Sequence, residues 1–223
     1  CQNVADDFSG YPIDYPLVEI DYAKIHGLLD LSVQPNKKTL NIEKIDTLRS
    51  LYIVSYKSKT KNLQTLFSSR NLQQLIMVMG NQKSLDGIEK SEKLQILYLY
   101  YARSLQDISA LEKVKKTLKV LCLDHCPKIE DYSVLEKMEN LQTLMIYGNH
   151  KISDIQFISK IKSLKRFRFS VNILDGDLSP CLKLEEATSM TNRKHYNLKD
   201  EELPKNYDCP FGNEGIEEWM LYW

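Results

Sequence analysis

One six-residue pattern, L-x-x-L-x-L, recurs from Leu48, Leu72, Leu94, Leu118, Leu141 and Leu164, at spacings of 24, 22, 24, 23 and 23 residues. Self-similarity at a fixed short period is the signature of stacked supersecondary units, so it constrains the fold more than any local propensity. The six instances are Leu48-Leu51-Ile53, Leu72-Leu75-Met77, Leu94-Leu97-Leu99, Leu118-Leu121-Leu123, Leu141-Leu144-Ile146 and Leu164-Phe167-Phe169. Weaker copies begin at His26 (Leu29, Leu31) and at Leu184 (Ala187, Ser189).

Within each unit the last two apolar positions sit two apart and share one side of a strand, while the residues between them point the other way. A second apolar set follows at helix-like spacing: Ile108, Leu111, Val114, Leu118; Tyr132, Leu135, Met138, Leu141; Ile155, Ile158, Ile161, Leu164. Each unit therefore predicts a short strand returning through a 3₁₀ or short α segment on the opposite wall. Neither layer buries its apolar side alone, so the units must stack strand on strand, and both ends of the stack need caps. The predicted organisation is one domain: an N-terminal cap over 1–25, repeats over 26–192 (about 7–8 units of 20–24 residues) and a C-terminal cap or tail over 193–223.

The repeat continues past its strand. From Leu141 the chain reads LQTLMIYGNHKISDIQFI, and from Leu94 it reads LQILYLYYARSLQDISAL. This succession, with Asn or Cys after the strand and then I-x-D-I-x-x-L, resembles the leucine-rich-repeat family, in particular the short-repeat bacterial, internalin-like type. The resemblance covers roughly three quarters of the chain. It implies an α/β solenoid: a curved coil with parallel strands on the concave face and short 3₁₀ or α segments on the convex face. The family places Asn or Cys at the eighth step beyond the first Leu, where this chain has Tyr56, Gly80, Ala102, Cys126, Asn149, Asn172 and Asn192. The polar ladder is thus expected to be complete only in the C-terminal half. The N-terminal half should be less regular, with longer loops around 57–61 and 68–70.

Composition excludes several classes. At 43% hydrophobic and 27% charged the chain has the make-up of a folded globular protein, and its formal charge of zero gives no global field toward nucleic acid or membrane. The zero conceals acidic ends, each near −5, around a middle stretch, 31–198, that carries +10. No apolar run reaches the 18 residues or so of a membrane span, and no signal peptide is visible. Five cysteines (Cys1, Cys122, Cys126, Cys181, Cys209) at irregular spacing do not read as a disulfide framework and fit a reducing cytoplasm. The chain starts at Cys1 rather than Met, and a lipid anchor through that thiol at the cell surface is the alternative localisation.

The residues the repeat does not need are the candidate site. At the third, fifth and seventh template positions, on the concave wall, the chain offers Tyr52, Ile76, Tyr98, Tyr100, Met145 and Tyr147. An acidic and imidazole spot adds Asp124 and His125, and a basic end adds Arg166 and Arg168. Large apolar and aromatic side chains at solvent-facing positions mark an interaction surface for another protein. Two blander readings compete: strand preference for such residues, and burial of the groove by the acidic, aromatic tail, whose Phe211, Trp219, Tyr222 and Trp223 otherwise cover the open end of the coil.

Cofactors and catalysis find no support. Cys122, His125 and Cys126 lack a fourth ligand and point in different directions, so no metal is expected. No nucleophile, base and oxyanion constellation is readable, and no Walker, Gly-rich or HExxH motif occurs. No basic stripe runs the length of the groove, which disfavours nucleic acid. The reading is a non-enzymatic protein-binding module, monomeric when free, whose partner is a toxin or an enzyme. By resemblance a specific form is a bacterial immunity protein that neutralises a toxin. The alternatives are a surface-anchored, internalin-like adhesion lipoprotein and a regulatory subunit docking on an enzyme.

Overall fold

A computed structural model describes the backbone of residues 28–31 and, in full, residues 49–64, 66 and 70–205. The expected N-terminal cap over 1–25, part of the loop around 68–70, and Phe211, Trp219, Tyr222 and Trp223 of the tail lie outside the described residues.

Eight strands, one per repeat, form a single parallel sheet whose spatial order follows the sequence. They are β1 (Leu28–Leu31), β2 (Ser50–Val54), β3 (Gln74–Val78), β4 (Ile96–Tyr100), β5 (Val120–Asp124), β6 (Thr143–Tyr147), β8 (Arg166–Phe169) and β10 (Glu186–Ser189). Two short strands, β7 (Lys151–Ile152) and β9 (Asn172–Ile173), pair beside it. Leu51, Leu75, Leu97, Leu121, Leu144, Phe167 and Ala187 fall in one row across the sheet. A one-residue slip would turn every side chain to the wrong face, so the strands hold register and the connecting loops absorb the variation in repeat length.

The returns are 3₁₀ helices: Ile88–Lys90, Ser109–Val114, Ser133–Lys137, Gln156–Lys160 and Ser179–Lys183. Their apolar residues recur at a strict interval of three (Ile108, Leu111, Val114; Tyr132, Leu135, Met138; Ile155, Ile158, Ile161), which lines up one face at three residues per turn and would drift off it in an α-helix. The Asp of the I-x-D-I motif starts four of the five returns. Asp107 accepts from the Ser109 amide at 2.8 Å, Asp131 from Ser133 at 2.8 Å, Asp154 from Gln156 at 2.9 Å and Asp177 from Ser179 at 3.0 Å. Gly87 turns into the first of these helices at φ 101°, and a Cβ there would lie 2.4 Å from the Gln64 backbone nitrogen, so no larger residue fits.

Between the sheet and the returns lies one continuous core running the length of the stack. Every inward strand residue of the six strong copies is buried, from Leu51 and Ile53 to Phe167 and Phe169. Each such side chain contributes about 1.5–3 kcal/mol by leaving water. Aromatic pairs extend the packing at the C-terminal end, with Tyr132 on Phe157 at 5.5 Å and Phe167 on Phe169 at 5.0 Å between centroids.

Residues 193–205 pack on the last turns. The Tyr196 hydroxyl donates to the Val171 carbonyl and accepts from the Ile173 amide, both at 3.1 Å. Asn197 Oδ1 accepts from the Leu178 amide at 2.8 Å, and the Pro204 carbonyl accepts from the Ala187 amide of β10 at 2.8 Å.

The polar ladder differs from the expectation. Asn149 is exposed, and Asn172 bonds through its backbone, its amide donating to the His150 carbonyl at 2.9 Å. Asn81, one step past Gly80, bridges turns by accepting from the Ser58 amide and donating to its carbonyl, at 2.9 and 3.1 Å. Cys126 reaches the Leu99 carbonyl at 3.7 Å, and the Ser170 hydroxyl serves both the amide and the carbonyl of Gly148. With those groups of Gly148 already satisfied by Ser170, Asn149 turns to solvent. In the N-terminal half β2, β3 and β4 keep full register, so irregularity there is confined to loops.

Candidate functional site: the concave face

Side chains that alternate with the core rows stand on the other side of the sheet, with neighbouring strands about 4.8 Å apart. In the middle strands Ile96, Val120, Cys122 and Met145 form a second apolar cluster, against which Tyr98, Tyr100 and Tyr147 pack. Tyr98 and Tyr100 meet edge to face at 6.0 Å, a favoured aromatic geometry. Burial, with Asp124 and Cys126 nearby, pushes the Cys122 thiol well up even though Tyr100 beside it acts in the opposite direction, so it stays protonated. Burial likewise raises the Tyr100 and Tyr147 hydroxyls far above the usual phenol range, helped by neighbouring acidic groups.

The predicted site residues divide by exposure. Tyr52, Tyr98, Tyr100, Tyr147, Arg168 and His125 are half-buried, whereas Ile76, Met145, Asp124 and Arg166 are buried, Ile76 at 3% and Met145 at 7% exposed. The expectation that all of them face open solvent is therefore corrected. Large side chains on closely spaced parallel strands abut their neighbours and cover one another.

The basic end is also corrected, because β10 and the residue before it supply its counter-charge. Arg168 grips Glu186 with Nη2 at 2.6 Å and Nε at 2.8 Å from Oε1. Arg166 lies 3.6 Å from Glu186 and 3.7 Å from Glu185, and Lys165 lies 3.6 Å from Glu185. Arg166 Nε and Nη1 are nevertheless buried without a hydrogen bond. At the opposite end the Ser50 hydroxyl donates to Gln74 at 2.8 Å.

Where the strands end, the chain takes a left-handed turn in five successive repeats. Ser55, Met79, Tyr101 and His125 have φ between 51° and 58°, and Gly148 has 124°. Non-glycine residues pay a local conformational cost there. His125 donates to the Asp124 carboxylate and stacks on Tyr101 at 4.6 Å, and the Arg103 guanidinium lies 5.9 Å from the Tyr101 ring. His150, on the next turn, titrates below the usual imidazole value because of burial first and His125 second. Met79, Tyr101 and Arg103 escaped the sequence reading. Met79 and Tyr101 come just after the seventh template position, the place that Ser55, His125 and Gly148 take in their own copies.

Cys122 and Cys126 point to opposite sides of the sheet, and among the described residues no group of three His, Cys, Asp or Glu is arranged to hold a metal ion. Among the same residues no helix is long and apolar enough to cross a membrane.

A parallel sheet grown one strand per repeat, closed by 3₁₀ returns over a continuous core, defines a leucine-rich-repeat solenoid. Residues 116–160 match the family described as leucine-rich repeats in two copies, and the same register continues on both sides of that segment. Solved structures similar to this chain include an internalin from Listeria monocytogenes (20% identity over 68% of this chain and 57% of that one, TM-score 0.49). Others are internalin C2 of the same species (17% identity, 66% and 71% covered, TM-score 0.43) and a leucine-rich-repeat protein from Leptospira interrogans (19%, 81% and 61%, TM-score 0.41). The chain spans less than two thirds of the first and third of these. No curated protein matches it.

Proposed function

We propose that this chain is a non-enzymatic protein-binding module that takes its partner on the concave face, and that it acts as a cytoplasmic immunity protein neutralising a toxin. The observation that carries the binding reading is the second apolar cluster. The repeat requires Leu97, Leu99, Leu121 and Leu123, but nothing in it requires Tyr98, Tyr100, Met145 and Tyr147, and half-buried tyrosines around an apolar centre are the usual composition of a binding hot spot. The non-enzymatic reading is supported by His125, whose ring bonds Asp124, and by Cys122, whose thiol burial holds neutral. The immunity role rests on the family resemblance, and the free, buried thiols of Cys122, Cys126 and Cys181 are compatible with a reducing compartment.

A photo-crosslinking residue placed at Tyr98 or Tyr147 in the native host should yield the same protein adduct from both positions, and none from the exposed Leu182 of the 3₁₀ returns. The captured protein should arrest growth when expressed alone and cease to do so when this chain is co-expressed. Adducts only from Leu182 would overturn the concave face as the binding surface. A captured enzyme whose activity changes without toxicity would make the chain a regulatory subunit, and recovery of the chain in the membrane fraction would favour the anchored adhesin.

A further inference from the structure

Charge is arranged differently on the outer wall and on the loops that leave the strands. On the outer wall cations and carboxylates mix and pair across turns, as Lys115 does with Glu139, Lys137 with Glu112 and Lys160 with Glu136. Beyond the strand ends, along one rim of the groove, the sign is single. Segments 55–61, 79–83, 101–105, 125–129 and 148–152 together hold seven lysines and arginines and no aspartate or glutamate. Three of the seven lie in 55–61, and Lys83, Arg103, Lys128 and Lys151 follow at one per turn. All seven are exposed, and none makes an ion pair among the described residues. The aspartates that come next along the chain, Asp107 and Asp154 among them, are bound to the amides that start the returns.

In chain order the left-handed residues Met79, Tyr101 and His125 stand between the concave strands and these cations. Their amides prolong the strand ladder: Met79 donates to the Tyr100 carbonyl at 2.8 Å, Tyr101 to Asp124 at 2.7 Å and His125 to Tyr147 at 3.0 Å. The row is thus continuous with the concave face. Glycine takes a left-handed backbone at no steric cost, whereas methionine, tyrosine and histidine do not. Met79 is nevertheless 55% exposed, so core packing does not account for its side chain. Large side chains kept in a strained conformation at the surface mark a place selected for contact. Arg103 joins the two features, its guanidinium 5.9 Å from the Tyr101 ring.

The floor beside this rim is of another kind. Strands β2 to β6 carry no lysine or arginine, and their one acid, Asp124, is bound by His125. Unpaired charges of one sign along one edge attract an anionic partner and fix its orientation. The complementary surface is acidic on one side and apolar beside it, which a folded protein provides. A nucleic-acid strand laid along the groove would set its phosphates over a floor without cations.

We propose that the basic rim and the Met79–Tyr101–His125 row form the second half of the binding surface, and that the partner is an acidic protein. Its carboxylates meet Lys83, Arg103, Lys128 and Lys151 while an apolar side chain seats on the Tyr98–Tyr100–Tyr147 cluster. This rests on the reading of the concave face as the binding face and adds the partner's chemistry to it.

A photo-crosslinking residue at Met79 or Lys128 in the native host should give the same protein adduct as one at Tyr98, and the adducted protein should have an acidic isoelectric point. With that protein purified, the Arg103→Glu/Lys128→Glu/Lys151→Glu variant of the full chain should associate about tenfold more slowly than wild type, or worse, at about 50 mM salt, and the gap should close at about 0.5 M. Its melting temperature should stay that of wild type, since these cations pair with nothing in the fold. Met79→Gly, which relieves the left-handed backbone, should melt no lower than wild type and release the partner faster. Adducts from Tyr98 but not from the rim, or equal association rates for the charge variant, would overturn the proposal and leave the concave reading standing. A basic captured protein or a nuclease-sensitive adduct overturns it as well. Adducts from neither Tyr98 nor Tyr147 would remove the concave reading itself, and this proposal with it.

Discussion

Alternate residues of a single strand meet two environments in this protein. In β5, Leu121 and Leu123 enter a core shared with both neighbouring turns and the 3₁₀ returns, while Val120, Cys122 and Asp124 enter a layer made of strand side chains. All five are buried, so burial alone does not separate the faces. What separates them is repetition: the inward rows are aliphatic or phenylalanine throughout the six strong copies, whereas the outward rows change from Ser and Gln through Ile and Tyr to Arg and Glu. The first face is held by the requirement that turns stack, and the second is free of that requirement.

The largest effect should come from the inward face. Phe169→Ala removes a fully buried ring packed on Phe167 and should lower unfolding free energy by about 3–5 kcal/mol in urea titration. A loss near that of an outward residue would break the contrast. Tyr98→Ala with Tyr100→Ala should instead cost about 2 kcal/mol or more in partner affinity by calorimetry, with a stability loss well below that of Phe169→Ala.

A smaller effect sharpens the ladder. Asn81→Ala forfeits two bonds between turns and should cost about 1–2 kcal/mol, whereas Asn149→Ala, at an exposed side chain, should stay within about 0.5 kcal/mol. Smallest is a pH dependence at the rim. His150 has a depressed folded-state pKa, so the unfolded chain binds the proton more readily, and stability is full above the ordinary imidazole value and falls as pH drops through it toward the lower folded value. Thermal melts of wild type and His150→Asn between pH 7.5 and 5 (about one unit either side of the imidazole range) should converge toward the acid end as the wild type loses this contribution.

The inward rows and the apolar set of the returns were legible because each is repeated, and periodicity averages away local exceptions. The weak copy from Leu184 is legible in register, but the Arg168–Glu186 pair is not, because the repeat places Glu186 on its strand without saying which neighbouring charge it meets. Asn81 was missed because the turn after β3 sets its ladder residue one step later than the template. The stacking of His125 on Tyr101 depends on left-handed backbone at two non-glycine residues, a conformation no side chain there predicts.

By itself the sequence determined the period, the strand faces and hence the parallel stack, since an apolar pattern repeated at one interval has no other way to bury both walls. Only the tertiary structure decided how far the concave side chains are buried, which charges meet at Arg166 and Arg168, and which residues ride the strained rim. Those properties depend on contacts between neighbouring turns about 20 or more residues apart, and no single repeat contains them.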